Sequence, residues 1–241
     1  MAEVRVFATA LEAAAATADE IVAAVAIQPR LVFGVATGAT VAPVYRCLVA
    51  AHHAGLSFAG LRCFSLDEYV GLESTHRSSY RAEMRTQFYG PVGLPASQCF
   101  APDGMADDPQ AEARRYEAAI ADSGGVDLQL LGIGVNGHIG FNEPPADFNQ
   151  GVHVTDLAPS TLAANRGFFQ VGEAQPTRAI TMGVRTILSA RKLLLIAIGS
   201  SKRAAIAAAL RGPVSPACPA SSLQMHNNVL VILDADAASG L

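Results

Sequence analysis

Paired cysteines and histidine motifs for metal binding are missing from this sequence. Its four cysteines are widely separated and none belongs to a CxxC pair, so neither a disulfide framework nor a structural zinc site is expected. No HxxxH motif and no histidine–carboxylate cluster has the spacing of a metal site. We therefore expect a protein without a bound metal.

Long basic segments and long apolar segments are missing too. The net charge is −4 at pH 7 and no basic tract occurs, which argues against a nucleic-acid partner. The apolar run at 192–199 contains eight residues, too few to cross a bilayer. The N-terminus lacks the basic segment and continuous apolar stretch of a signal peptide. These absences indicate a cytoplasmic protein without a membrane partner.

Apolar residues, in contrast, are abundant and recur in a regular order. Hydrophobic residues make up 51% of the chain and charged residues 16%, enough for a large core. Short, nearly all-apolar runs alternate with longer helical patterns, which predicts parallel strands covered by helices on both faces. We expect an α/β fold, a three-layer α/β/α sandwich with a mainly parallel, Rossmann-like sheet. No linker or repeat divides the chain, so a single domain over residues 1–241 is expected. The predicted strands are 4–7, 31–35, 61–66, 126–131, 192–198 and 229–233, and the predicted helices are 11–27, 41–54, 79–88, 109–122, 181–189 and 201–210.

The loop VATGAT at 35–40 follows the second predicted strand and precedes a helix. Ligands of parallel sheets bind beyond the carboxyl ends of the strands. Small residues in this loop let backbone N–H groups approach an anion, and Thr37 and Thr40 add hydroxyl donors. No lysine follows the last glycine, so the loop is not a Walker A loop. An ordinary strand-to-helix turn capped by Thr40 is the alternative.

Two carboxylates, Asp67 and Glu68, follow the third predicted strand in the segment FSLDEYVGL. An acidic pair at the end of a buried strand is suited to proton transfer, because two close like charges hinder each other's ionisation. The alternative is a helix N-cap followed by an acid in the first turn.

The segment GIGVNGHIGFNEP at 132–144 follows the fourth predicted strand. Histidine gives and takes protons more readily near neutral pH than other side chains, and His138 lies in the middle of this segment. Glu143 is close enough in sequence to orient the His138 ring. The glycine spacing does not match a dinucleotide-binding fingerprint. These polar, glycine-rich surroundings favour a functional over a structural His138.

Two cations are candidates for binding an anion. Lys202 lies in GSSK at 199–202, in the first turn of a predicted helix, where a cation opposes the helix dipole. A bound phosphate would explain this position, and a solvated lysine is the alternative. Arg166 lies near the aromatic pair at 168–169, and arginine suits phosphate because it donates two parallel hydrogen bonds.

These segments together resemble the glucosamine-6-phosphate deaminases. FSLDEYVGL, LLGIGVNGHIGFNEP, VATGAT and GSSK occur in the family's order and spread over most of the chain. The resemblance implies conversion of glucosamine 6-phosphate and water to fructose 6-phosphate and ammonia in amino sugar catabolism. It implies no metal and no organic cofactor. Tyr69 and the FNEP sequence favour this branch over the 6-phosphogluconolactonases, which share the fold.

The resemblance also implies roles for individual residues. Asp67 would move the proton from C2 during aldose–ketose isomerisation, and His138 would open the pyranose ring. Asn136 and Glu143 would support His138 in catalysis. The substrate, and above all its phosphate, would be bound by Thr37, Gly38, Ala39, Thr40, Gly137, Arg166 and Lys202.

The sequence departs from the family pattern at three places. Asn136 stands where some members have aspartate, so it orients the imidazole without adding charge. Arg166 lies one residue before the usual position of the phosphate-binding arginine, which Gly167 occupies. His153 and Thr155 occupy the places where allosteric members carry a basic pair. This predicts a short, non-allosteric form with hyperbolic kinetics.

Two other functions are compatible with the sequence. A 6-phosphogluconolactonase-like hydrolase would use His138 to activate water on an ester. A non-catalytic sugar-phosphate sensor is the second, although such regulators usually add a DNA-binding domain, for which the residues before Val4 leave no room. Glucosamine and galactosamine 6-phosphate are both possible substrates, and a monomer and a homo-oligomer are both possible.

Overall fold

The computed structural model describes residues 2–241, so the first residue of the predicted domain, Met1, lies outside the described part. Ten strands form two sheets. The strands are β1 (Glu3–Phe7), β2 (Val32–Val35), β3 (Arg62–Ser65), β4 (Asp67–Tyr69), β5 (Cys99–Phe100), β6 (Leu128–Leu131), β7 (His153–Asp156), β8 (Arg178–Thr181), β9 (Lys192–Ala197) and β10 (Val229–Asp234).

Helices connect most of these strands. Within residues 2–241, every helix is too short or too polar to cross a bilayer. The α-helices are α1 (Ala10–Ile27), α2 (Ala42–His53), α3 (Tyr80–Met84), α4 (Pro109–Asp122), α5 (Pro159–Asn165), α6 (Val184–Leu188), α7 (Arg203–Arg211) and α8 (Ala235–Ala238). A π-helical turn at Arg85–Tyr89 extends α3, and 3-10 turns lie at Ala96–Gln98, Arg166–Phe168, Ser200–Lys202 and Pro219–Met225.

The larger sheet has seven strands in the order β1-β10-β9-β6-β2-β3-β5. Every pairing within it is parallel. All residues of β2, β6 and β10 are buried, as expected for strands that helices cover on both faces. The predicted α/β sandwich with a mainly parallel sheet is confirmed. In this sheet β2 is followed by β3 on one side, whereas β6 is followed by β9 on the opposite side. The connections after β2 and β6 therefore diverge, and a crevice opens between the carboxyl ends of these two neighbouring strands.

Local sequence signals agree with the helix starts. The Thr9 hydroxyl accepts a hydrogen bond from the Glu12 N–H, and the Glu12 carboxylate accepts one from the Thr9 N–H. The Asp108 carboxylate caps α4 by accepting hydrogen bonds from the N–H groups of Gln110 and Ala111, and Pro109 lies in the first turn. Such caps satisfy N–H groups that have no partner inside the helix. They explain why α1 and α4 begin where the sequence predicts.

A second, three-stranded antiparallel sheet, in the order β4-β8-β7, is absent from the sequence prediction. β4 follows β3 after one residue and pairs with β8, so that Asp67 lies opposite Thr181. The predicted helix at 181–189 is wrong at its start, because Thr181 ends β8 and α6 begins at Val184. These strands are three or four residues long, too short to show an alternating pattern. These strands form only because segments that are distant in sequence pair with one another, and this pairing orients Asp67.

Gly104 packs against the backbone of β4. A Cβ at this position would lie 2.1 Å from the carbonyl oxygen of Tyr69, a backbone atom that cannot rotate away as the end of a flexible side chain could. We expect Gly104→Ala to lower the free energy of unfolding by about 1–3 kcal/mol, as measured by urea denaturation. Gly167→Ala is the matched control, because a Cβ there meets nothing within 4 Å. Equal stabilities of the two variants would contradict the expectation.

Candidate active site

A cavity of about 760 Å³ opens at the carboxyl ends of the central strands. The loops after β2 and β6 form its wall, together with the β3–β4 junction, α3, part of α5 and the turn before α7. This position is the crevice between β2 and β6, where open α/β sheets bind ligands. The predicted site residues that line it are Thr37, Gly38, Ala39, Thr40, Asp67, Asn136, His138 and Lys202.

Asp67 is the acidic residue that β4 places in the cavity wall. The side chain is 7% exposed. Burial and the nearby carboxylates of Glu68 and Glu83 raise its pKa to about 8. Within residues 2–241, neither a cation nor a hydrogen-bond donor offsets these effects. A carboxylate with such a pKa is a stronger base than an exposed one, which suits it to remove a proton from carbon.

Glu68 has a different task from its neighbour. Alternation along β4 turns its side chain away from the Asp67 side chain, and its carboxylate receives hydrogen bonds from the segment that begins α3. This explains why an acidic pair ends the strand: one member faces the cavity and the other holds α3 against β4. The donors to Glu68 are the N–H groups of Tyr69, Tyr80 and Arg81 and the hydroxyl of Ser79.

His138 and Glu143 form the second group of the site. His138 Nδ1 lies 3.1 Å from Glu143 Oε2. Asn136 Nδ2 donates to the same oxygen at 2.7 Å, and Asn136 Oδ1 accepts from the His138 N–H at 3.2 Å. The Thr161 hydroxyl donates to the other oxygen of Glu143. Asn136 therefore links the carboxylate to the backbone of the histidine.

The charge of Glu143 follows from these contacts. Burial alone would raise its pKa, but the hydrogen bonds from the imidazole, the threonine hydroxyl and the asparagine amide outweigh burial and lower the pKa to about 2. The carboxylate is thus ionised over the whole physiological range. An ionised acceptor at Nδ1 keeps the proton on that nitrogen and leaves Nε2 of His138 to exchange protons with a ligand.

Two glycines allow the His138 loop to take this shape. A Cβ at Gly134 would lie 2.4 Å from His138 Cε1. Gly137 has a positive φ of 84°, and a Cβ there would lie 2.7 Å from Cys218 Sγ. Gly137 does not line the cavity, so its contribution in this structure is to the turn that carries His138.

The VATGAT loop leads from β2 into α2. Gly38 has a φ of 108°, which favours glycine, and its carbonyl accepts from the N–H groups of Val41 and Ala42. The helix has Val41 at its N-cap and no side-chain cap, so the alternative of a turn capped by Thr40 is wrong. The loop instead presents backbone and hydroxyl donors to the cavity.

Lys202 lines the same cavity as this loop. It lies in the 3-10 turn Ser200–Lys202, ahead of α7 rather than in its first turn. Burial lowers the pKa of the ammonium, and no carboxylate in the described part of the chain offsets this effect. A half-buried cation that lacks an internal partner and shares the cavity wall with the hydroxyls of Thr37 and Thr40 is suited to an anionic ligand.

Arg166 does not line the cavity. Its guanidinium donates to the backbone carbonyls of Glu173 and Gln170, at 3.1 and 3.5 Å. The neighbouring Asn165 does reach the cavity, and its amide donates to the Tyr69 hydroxyl at 2.9 Å. The one-residue shift in sequence thus places the arginine on the outer side of this segment, where it holds a turn of the backbone.

Several cavity residues were not predicted from the sequence, among them Tyr80, Glu83 and Thr161. Tyr80 and Glu83 lie on the helix predicted at 79–88, three residues apart, which is the spacing of one helix face. That periodicity was the available signal, but nothing local indicated that this face meets the cavity. Among residues 2–241, no three His, Cys, Asp or Glu side chains are grouped as a metal site requires.

Comparison with known proteins agrees with this geometry. The family described as glucosamine-6-phosphate isomerases/6-phosphogluconolactonase matches residues 6–232. The chain belongs to this family. Two relatives named glucosamine-6-phosphate deaminase, from Shewanella loihica and Rhodopirellula baltica, are each 48% identical to it, over 215 and 228 residues. The alignments cover 89% and 94% of this chain and 80% and 91% of the relatives.

Solved structures of the family have the same architecture. A monomeric glucosamine-6-phosphate deaminase is 40% identical, with a TM-score of 0.96 over 99% of this chain and 100% of that one. A 6-phosphogluconolactonase from Trypanosoma cruzi is 20% identical, with a TM-score of 0.83 over 100% of this chain and 97% of that one. The second match shows the shared fold alone. The family resemblance inferred from the sequence motifs is confirmed.

The raised pKa of Asp67 makes stability depend on pH. The pKa is 3.8 for an ordinary aspartate and about 8 in the folded protein. Folding therefore favours the protonated form, and stability is lost as the pH rises from about 4 through about 8. Asparagine does not ionise, so Asp67→Asn should not lose stability in this way. The difference in the free energy of unfolding between Asp67→Asn and the parent protein, measured by urea denaturation, should therefore grow in favour of the variant from about pH 5 to about pH 8.

The exposed Glu73 offers a control with the same chemical change. Glu73→Gln should leave the pH dependence of unfolding as it is in the parent protein. A constant difference between Asp67→Asn and the parent across this pH range would show that the carboxyl is not destabilised by burial.

Proposed function

We propose that this protein catalyses the conversion of glucosamine 6-phosphate and water to fructose 6-phosphate and ammonia. The observation that carries the proposal is the placement of two different proton-transfer groups in one cavity, Asp67 on β4 and the His138–Glu143 pair after β6. Donors for an anion lie in the same cavity. The names of the most similar relatives support this choice among sugar-phosphate reactions.

Binding of the phosphate comes first. The phosphate lies between Lys202 and the VATGAT loop, where Thr37, Ala39 and Thr40 line the wall. This group does not react, so the free energy of its binding serves to orient the sugar. Arg166 makes no contribution to the phosphate site in the conformation described here.

His138 then opens the pyranose ring. Nε2 takes the proton from the hydroxyl at C1 and returns it to the ring oxygen as the C1–O5 bond breaks, which leaves an aldehyde at C1. The ionised Glu143 stabilises the imidazolium that forms in between. Asn136 and Thr161 hold Glu143 in place through their hydrogen bonds.

Asp67 carries out the isomerisation. Its carboxylate removes the proton from C2, next to the aldehyde, and an enolate with the amino group at C2 forms. The same carboxyl group returns this proton to C1, a proton passes from the nitrogen to the C1 oxygen, and the double bond then joins C2 and the nitrogen. Water adds to this C2 imine and ammonia leaves, which gives fructose 6-phosphate. Proton transfers and hydrolysis account for every step, so the proposal includes no metal and no organic cofactor.

The reaction assay is the direct test. We expect ammonia release from glucosamine 6-phosphate, and a fall in kcat of at least about a hundredfold in Asp67→Asn, which keeps the shape of the side chain but not the base. Galactosamine 6-phosphate tests the configuration at C4. Hydrolysis of 6-phosphogluconolactone without ammonia release would instead assign the protein to the lactonase branch, and no turnover of either would favour a sensor.

The two cations should differ in their effect on substrate binding. Lys202→Ala removes a charged donor from the cavity, so we expect KM to rise about tenfold or more, with a smaller change in kcat. Arg166→Ala removes contacts to backbone carbonyls outside the cavity and should change KM much less. An equal rise in KM for both variants would mean that Arg166 swings inward when substrate binds.

The cellular setting is part of the same proposal. A phosphorylated amino sugar is a cytoplasmic metabolite, so we propose that the enzyme acts in the cytoplasm, in amino sugar catabolism. His153 and Thr155 lie on β7, where neither residue offers the permanent charge that an effector phosphate requires. We therefore propose hyperbolic kinetics without activation by N-acetylglucosamine 6-phosphate.

A further inference from the structure

A carboxylate that the proposed reaction does not use occupies part of the cavity. Glu83 lies on α3, is half-buried and lines the cavity wall. Its Oε1 accepts a hydrogen bond from the Gly38 N–H at 3.2 Å and another from Gln87 Nε2 at 3.1 Å. The side chain thus holds a backbone donor of the VATGAT loop, the loop assigned to the substrate phosphate.

The negative charge of Glu83 is not compensated by its surroundings. Burial raises the pKa of the carboxyl, and the hydrogen bonds from Gly38 and Gln87 oppose burial. No cation in residues 2–241 contributes to holding this charge. The ionisable groups that face Glu83 are Asp67 and Glu68 of β4, Tyr80 of α3 and Tyr45 of α2, and Lys202 lies elsewhere in the same cavity wall.

We propose that Glu83 determines the strength of phosphate binding by competing with the substrate phosphate for the Gly38 N–H. A phosphate dianion and a carboxylate repel each other when they share one donor. Phosphate therefore binds only when Glu83 turns away or takes up a proton. The identity of the substrate in this inference rests on the function proposed above, but the competition itself requires only a phosphate group.

The competition has a use in turnover. Substrate and product both carry the phosphate, so a site that binds phosphate too tightly would retain the product. A carboxylate that reclaims the Gly38 N–H weakens the binding of both and speeds release. A built-in repulsive group of this kind is a known way to tune affinity.

Binding of inorganic phosphate, measured by isothermal titration calorimetry, tests the inference without any turnover. Both proteins carry Asp67→Asn, so that changes at Asp67 do not contribute, and one also carries Glu83→Gln. We expect the double variant to bind phosphate at least about fivefold more tightly near pH 8, the effect of one nearby like charge in water-like surroundings. The gain should shrink near pH 5, where Glu83 is increasingly protonated in the single variant.

Two further variants complete the design. Glu83→Ala removes the charge together with the hydrogen bonds and must shift phosphate affinity in the same direction as Glu83→Gln. Glu73→Gln, an exposed charge outside the cavity, must leave phosphate affinity unchanged. Equal or weaker phosphate binding in the Glu83→Gln protein, or no detectable binding in either protein, would overturn the inference.

Kinetics separate this inference from the proposed function. In the Glu83→Gln protein with Asp67 intact, KM for glucosamine 6-phosphate should fall at least about fivefold near pH 8. If the parent protein releases no ammonia, the proposed function fails and the phosphate titration still decides the role of Glu83. If ammonia is released but neither KM nor phosphate affinity changes, the inference about Glu83 fails alone.

Discussion

The burial of the Asp67 carboxylate is the constraint on which the rest of the site depends. In the described part of the chain no cation and no hydrogen-bond donor offsets it, so the folded protein must hold this group against its preference for water. The pairing of β4 with β8 provides the support, because it fixes Asp67 opposite Thr181. The adjacent Tyr69 is anchored in a small hydrophobic cluster with Phe141 and Phe169.

The site separates two carboxylates by their surroundings. Burial opposes the ionisation of both Asp67 and Glu143, and hydrogen bonds decide the outcome. Glu143 receives donors from three side chains and its pKa falls to about 2, whereas the pKa of Asp67 rises to about 8. The same functional group, a carboxylate, thus supplies a strong base at one strand end and a permanent anion at another. This division matches the needs of an isomerisation that also opens a ring.

The sequence predicted the central sheet and most of the cavity wall. Parallel strands bring their carboxyl ends to one edge, so polar loops after such strands meet in space; this rule sufficed for Asp67, His138 and Lys202. The antiparallel sheet was missed because its strands are too short to carry a pattern. The position of Arg166 was missed because a one-residue shift in a helical turn changes the direction of the side chain.

The sequence by itself determined the strands of the central sheet except the two-residue β5, the helices that cover it, and the loops that meet at the cavity. These features depend on apolar periodicity and on contacts between near neighbours in the chain. Only the tertiary structure decided the directions of the pKa shifts, the separate tasks of Asp67 and Glu68, and the contact between Glu83 and Gly38. These depend on burial and on distances between residues far apart in sequence, which no local pattern encodes.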